Sequence, residues 1–298
     1  MTEEKISLSE QVNMGFVVFT PLVALIVGMM PFWPFSPDGV AIAIFINFYY
    51  LATLGVTVGY HRYLTHSSFK EKYRSVKNAL TVAGIFSGQG GPIMWVSWHR
   101  THHKRSDKPG DPHSPHLHGS GLWAAINGAI HAHVWWLFVT PRSDDHTKAL
   151  QSDSDIVRLD RWAVRIFLFG LFVAPPLLGA LARWSLDSVH IDILWGGFIR
   201  LFCTNHATWS VNSVCHLWGR RPFDTDDKSR NNWLVVLLAS GEGWHNNHHA
   251  FQWSAKQGLL PGQFDLSWLV IQGMWKLGLI EEPLVPDEDQ ISQKLAAA

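Results

Sequence analysis

Apolar runs alternate with polar ones at a spacing suited to membrane crossing. No charged residue falls between Gln11 and Pro37, and residues 12–31 are long enough for a bilayer span of roughly 20 residues. Pro31, Pro34 and Pro37 then make a short turn. A second uncharged run, 39–60, returns through the membrane and delivers His61 at its end. Residues 78–98 are again uncharged but hold Gly84, Gly88, Gly90, Gly91 and Pro92, which predicts a surface or partly inserted helix rather than a span. Leu122 to Val139 is Trp-rich and amphipathic, suited to lying in the interface. Arg165 and Arg183 bracket a third span, 166–183, with a kink expected at Pro175-Pro176. A fourth, 191–214, contains Arg200, Asn205, His206 and Asn212.

These elements predict an all-α integral membrane protein, one domain over 1–298. Four transmembrane helices would carry a helical cap made of 61–161 and 216–290. Thirteen Lys or Arg lie between Tyr60 and Trp162, and none in the 31–39 turn. The positive-inside rule therefore puts the cap and both termini in the cytoplasm, in a multi-pass cell membrane.

Composition agrees. Charged residues make up 16% and aromatics 13%, against about 25% charged in a soluble domain. Formal charge is zero, so no bulk attraction to nucleic acid is expected. Cys203 and Cys215 read as small buried residues, without a disulfide framework or thiolate site. The polar, acidic first ten residues do not resemble a cleavable signal.

The histidines change the picture. His99, His102 and His103, and again His245, His248 and His249, form His-x-x-His-His pentads. On a helix, i, i+3 and i+4 share a face, so each pentad can offer three imidazoles, the commonest side-chain metal ligand. Adjacent histidines diverge by about 100°, so His102 and His103 could reach different ions. His61 and His66, about 140° apart on an ideal helix, would suit two ions or a helix ending between them. Asn205, Trp209, Asn212 and His216 fall on one helix stripe; intramembrane polar groups are by default functional. Asp107, Asp111, Glu242 and Asn246 are candidates to orient the ligands.

A zinc hydrolase needs three ligands and an open position, fewer than are present, and structural zinc would favour cysteine. Imidazole suits iron, and two irons could reduce dioxygen beside the apolar spans. Breaking a C–H bond of a hydrophobic substrate follows, giving an alkene or an alcohol. A lipid or alkyl hydroxylase is thus the nearest alternative. A non-catalytic metal-binding membrane protein would need polar residues along several spans, and only the fourth has them.

His61-Arg-Tyr-Leu-Thr-His66, His99-Arg-Thr-His-His103 and Gly241-Glu-Gly-Trp-His-Asn-Asn-His-His-Ala-Phe251 resemble the three histidine boxes of the membrane fatty-acyl desaturases. The closer resemblance is to the stearoyl-CoA desaturase-like branch, bacterial members included. Asn212-Ser-Val-Cys-His216, followed by Gly219-Arg-Arg-Pro-Phe223, is similar to that branch's additional element. The resemblance spans about 40–280. It implies a non-haem di-iron centre that inserts a cis double bond, usually between carbons nine and ten, using dioxygen and two electrons. The implied ligands are His61, His66, His99, His102, His103, His216, His245, His248 and His249, with Asn212 reaching one iron through water. Electrons would come from a separate ferredoxin, rubredoxin or b-type cytochrome with its reductase.

One departure concerns the acyl carrier. Where the animal acyl-CoA enzymes place a basic and an acidic residue before the second box, this chain has Ser97 and Trp98, which opens phospholipid-bound acyl chains beside acyl-CoA. The longer stretch 113–133 brings His116, His118, His131 and His133, expected at the surface or behind the ligands. A bent apolar tunnel must hold the chain past the metals; Tyr49, Tyr50 and Trp209 are its candidate lining.

Overall fold

The computed structural model describes residues 6, 8–30, 36–140 and 145–296; Pro31 and Pro34 of the expected turn lie outside these. The described residues form helices and isolated bridges, with no β-strand among them. Helix α1 is Leu8–Gly28 and α2 is Gly39–Thr65. The cap begins with α3 (Arg74–Ile85) and α4 (Pro92–Arg105). Next come α5 (Leu122–Val139), the short α6 (Lys148–Gln151) and α7 (Ser154–Arg183). Val189–Asp192, Ile193–Ile199 and Arg200–Leu217 continue one another as α8. Four short helices finish the chain: α9 (Trp233–Leu238), α10 (His245–Ala250), α11 (Leu266–Lys276) and α12 (Glu288–Lys294).

Four helices among the described residues are long and apolar enough to cross a bilayer: α1 from Glu10, α2, α5 and α7. Three overlap the expected spans. The remaining one is Leu122–Val139, expected at the interface. The expected span 191–214 is helical throughout, but its polar residues interrupt the apolar run. Arg200 is fully buried there. It donates to the carbonyls of Phe86, Gly170 and Gly196, so its polar head is satisfied inside the bundle. The kink at Pro175-Pro176 is present: α7 breaks at Val173, between Ser154–Phe172 and Ala174–Arg183.

Side-chain pairs fix the helix ends. Asp38 caps α2 by accepting from the Ala41 amide at 2.8 Å, and Arg183 binds both Asp38 and Asp192. One guanidinium thereby ties together the start of α2, the end of α7 and the start of α8. At the opposite end of α2, two glycines allow close approach to α3. A Cβ on Gly55 would lie 2.1 Å from the Ala83 carbonyl carbon, and one on Gly59 2.6 Å from the Leu80 oxygen. This contact adjoins a core around Val58, Leu64, Phe69, Ile85, Val96 and Ile156.

Candidate metal centre

The last three turns of α2, Gly55–Thr65, are wound wider than an α-helix, with i→i+5 hydrogen bonds; the amide of His66, capping the helix, donates to the His61 carbonyl at 3.2 Å. Such turns recur at functional sites. The helix ends at Thr65, between His61 and His66, as one of the two expected arrangements had it; the other, separate ions, does not hold, since both rings join one group. With more residues per turn, i and i+5 fall on one face, and the two rings stand 4.9 Å apart.

Nine histidines gather into two adjacent groups. His61, His66, His99, His103 and His248 bring ring nitrogens within 4.8 Å of one another, and His102, His216, His245 and His249 do the same. Each pentad is divided. The α4 pair His99 and His103 joins the first group and His102 the second; the α10 pair His245 and His249 joins the second and His248 the first. The groups touch through His103 and His249, whose rings lie 4.7 Å apart.

Behind the rings stand four carboxylates. Nδ1 of His61 meets Glu242 at 2.5 Å, that of His102 meets Asp111 at 2.9 Å, and that of His216 meets Asp107 at 2.9 Å. Nδ1 of His249 is paired with Asp227. Asp107, Asp111 and Glu242 were expected in this role. Asn246 was too, but it braces the loop instead, accepting from the Phe223 amide and donating to Thr225. Asp227 was not expected: it stands 22 residues from His249, in a loop with no local pattern marking it. His113, also unforeseen, packs on His102 with ring centroids 4.3 Å apart, beside Asp111.

Each carboxylate is held in turn. Glu242 accepts from Arg62 and Gln257. The fully buried Arg62 reaches on to Asp265 and the Ala255 carbonyl. Asp107, in the left-handed region at φ 57°, where Asp is tolerated, accepts from Ser114 and the Lys228 amide. Asp111 accepts from the amides of Asp107 and His113. Burial alone would raise the carboxyl groups of Asp107, Asp111 and Asp227. Their histidine partners and these hydrogen bonds, with those from the Ser229 amide and hydroxyl to Asp227, outweigh it, holding all three well below the usual carboxylate range.

The imidazoles behave oppositely. Burial, with repulsion from neighbouring rings, pushes His66, His99, His103, His245 and His248 far below the ordinary histidine value. Burial lowers His249 to about 4, against the pull of Asp227. His102 is raised: burial opposes its charge, but Asp111 more than compensates. Most of these rings are therefore neutral at pH 7, the form that binds metal.

The arrangement fits a pair of ions. Nε2 atoms of His61 and His248, His99 and His103, His103 and His248, and His216 and His245 lie 2.9–3.0 Å apart. With metal–imidazole bonds of about 2.1 Å, ligands at right angles stand about 3 Å apart. Nε2 of His66, His102 and His249 is buried without a partner, a costly state for a polar atom that a metal would relieve. The four carboxylates carry four negative charges, which two divalent cations balance, as buried charge requires.

An apolar cavity reaches this centre. His99 and His113 form its inner end; Trp95, Trp98, Trp136, Trp209 and Asn212 form its walls, and Met14 and Val17 of α1 its outer side. Gln89 accepts from Trp95 Nε1 at 3.1 Å and donates to Thr208 at 3.0 Å, which locks one wall. The stripe expected on α8 faces this way: Asn205 touches Gln89, Trp209 and Asn212 line the cavity, and His216 enters the second group. Tyr49 and Tyr50 lie elsewhere. Tyr49 donates to the Leu238 carbonyl at 2.5 Å, and Tyr50, 40% exposed, packs on it. Ser97 and Trp98 are buried. His116 and His131 bind the carbonyls of His216 and Pro112, His118 packs on His131, and His133 binds Ser213 and His206. His116, His118 and His131 brace the cap behind the ligands, and His133 ties α5 to α8.

Apolar helices long enough to cross a bilayer, under a cap with two histidine groups, define a membrane protein able to hold metal beside an apolar cavity. Residues 31–255 match the fatty acid desaturase family model. The chain is 37% identical over 281 residues to a hex-5-enoyl-[acyl-carrier protein] acetylenase of Moorena producens, covering 93% of this chain and 87% of that one. It is 35% identical over 265 residues to an sn-1 stearoyl-lipid 9-desaturase of Anabaena variabilis, covering 88% and 90%. With an acyl-CoA C20 Delta5-desaturase of Anemone leveillei it shares 38% over 237 residues, covering 78% and 70%. The chain belongs to the fatty acid desaturase family and is a membrane oxidoreductase that desaturates fatty-acyl chains.

Proposed function

We propose that this desaturase works with two irons, one in each histidine group, and places a cis double bond between carbons nine and ten of a saturated chain. The observation that carries this is the joining of two carboxylate-backed imidazole groups to an apolar cavity ending at His99. His61, His66, His99, His103 and His248 would hold one iron; His102, His216, His245 and His249 the other. Asn212, on the cavity wall beside them, would contact one iron through water. When bound, the pair supplies the reduction of dioxygen needed to break unactivated C–H bonds. Dioxygen, two electrons, two protons and the two hydrogens removed leave as two waters.

The residues contribute position and dryness. Glu242, Asp111, Asp107 and Asp227 keep the Nδ1 protons of four ligands and aim their opposite nitrogens. Trp95, Trp98, Trp136 and Trp209 exclude water and pin the chain, so that one methylene pair is presented. The substrate reading favours an acyl lipid over acyl-CoA. Ser97 and Trp98 are buried, which leaves no charged pair there for a CoA headgroup, and the relatives named above act on three different carriers.

The cap and both termini are assigned to the cytoplasm, where a ferredoxin, rubredoxin or b-type cytochrome with its reductase would deliver electrons. In this topology α1, α2, α7 and α8 cross the bilayer. Helix α5 lies along it, with His131 bound to the Pro112 carbonyl of the cap and His133 to Ser213 and His206 of α8.

Expression in a host lacking unsaturated fatty acids tests the reading. Its lipids should gain chains two hydrogens lighter with the bond between carbons nine and ten, and purified protein should hold about two irons, given divalent occupancy of both groups. His102→Ala should abolish product while leaving membrane insertion intact. Chains heavier by one oxygen would make the protein a hydroxylase, and iron-free active protein would remove the metal assignment.

A further inference from the structure

The glycine-rich stretch between α3 and α4 supplies no ligand, yet its placement joins two cavities. The cavity at His99 shares Met14, Val17 and Gly88 with a groove between α1 and α7, whose far side is Ala163, Val164 and Phe167. Gly88 sits at φ 73°, and a Cβ there would lie 2.7 Å from Phe167 and 2.9 Å from Leu201. A Cβ on Gly90 would meet Met94 at 2.2 Å, and one on Gly91 the Asp160 carboxylate at 2.2 Å. Bare backbone therefore runs along the junction, where side chains would fill it.

The groove opens outward. Val164 is 67% and Leu168 39% exposed, on a helix apolar enough to cross a bilayer. Only 11% of the apolar stretch of α1 is buried, so the wall between cavity and lipid is a helix held along one narrow side. The neighbouring turns of α7 carry exposed Arg161, Trp162 and Arg165, with the Arg165 guanidinium 4.5 Å over the Trp162 ring. Tryptophan and arginine mark the headgroup level of a bilayer, and basic residues there attract lipid phosphate.

We infer that the groove between α1 and α7 is the entrance by which one acyl chain of a membrane phospholipid slides into the cavity at His99 while its headgroup stays at the bilayer surface. The inference rests on the fatty-acyl desaturase reading and names the route its substrate takes. An apolar chain passing between two bilayer helices never enters water, which removes the desolvation barrier that an aqueous mouth would impose.

The test uses the full metal-free chain in nanodiscs of saturated phosphatidylglycerol, doped with the same lipid bearing a diazirine midway along an acyl chain. Irradiation should leave adducts on Trp98 or Trp209 inside the cavity, as well as on Val164 and Leu168 outside. Val17→Trp and Met14→Trp, made separately, should lose the inner adducts and keep the outer ones, which also reports that each variant is folded. Inner adducts that are missing from the unsubstituted chain, or unchanged in both variants, overturn the inference. In a second arm the diazirine chain is given as a CoA thioester. Equal labelling of Trp98 or Trp209 in the unsubstituted chain and both variants means entry from the aqueous face, and the route falls. The desaturase reading is judged apart from this, by unsaturated lipid in cells expressing the unsubstituted chain.

Discussion

Glu242 lies 2.5 Å from Nδ1 of His61 and also accepts from the guanidinium of the next residue, Arg62, at 3.1 and 3.2 Å. Consecutive side chains of α2 thus converge on one carboxylate of the loop before α10. Removing its charge should loosen His61 and leave Arg62 with Asp265 as its one carboxylate partner, beside the Ala255 carbonyl. Glu242→Gln is expected to weaken metal binding by about 10–100-fold, the usual cost of losing such a partner. Competition with a chelator measures it, and unchanged affinity contradicts the role.

Asp227 does for the second group what Glu242 does for the first, through Nδ1 of His249. Asp227→Asn should weaken the ion held by His102, His216, His245 and His249 and leave the other site close to its original affinity. Stepwise metal titration followed by absorption separates the two sites. Equal weakening at both would mean that the loop, rather than the ligand, has been disturbed.

Acid should destabilise the metal-free protein. His249, lowered from 6.5 to about 4, binds fewer protons folded than unfolded between those values. Stability is therefore intact above the unfolded value and is lost as pH falls through the folded one. The deeper depressions of His66, His99, His103, His245 and His248 act in the same direction. His102, raised by Asp111 after burial is overcome, acts oppositely, as a single group. The thermal midpoint of metal-free protein should fall steadily from pH 7 to pH 5; a flat or rising curve contradicts these environments.

Gly55 permits the contact between α2 and α3. A Cβ there lies 2.1 Å from backbone, which cannot give way as a side-chain tip can. Gly55→Ala should destabilise by about 1–3 kcal/mol, the range for overpacking, and shift the wide turns that carry His61 and His66. Thermal unfolding and metal content should both drop; loss of stability with full metal content would separate packing from the site.

Much of the site was legible because metal-binding sequences are local. His99-x-x-His102-His103 and His245-x-x-His248-His249 announce themselves at helical spacing, and the ionisable residues near them nominated Asp107, Asp111 and Glu242. Asp227 and His113 escaped because nothing local marks them: each acquires meaning only where loops fold back over the rings. For His61 and His66 two arrangements stayed open, separate ions or a helix ending between them, and only the second holds. An ideal helix separates them, and the sequence does not advertise the wider winding of Gly55–Thr65. Leu122–Val139, expected at the interface, is also long and apolar enough to cross a bilayer, and run length alone does not separate the two positions.

By itself the sequence determined that apolar helices alternate with histidine-bearing polar segments, since hydrophobic run length and i, i+3, i+4 spacing are properties of short stretches of chain. It could not determine how the imidazoles are shared. That each pentad gives its i, i+4 pair to one group and its i+3 histidine to the other was decided by how α4 and α10 face one another, and that depends on contacts between residues more than a hundred positions apart.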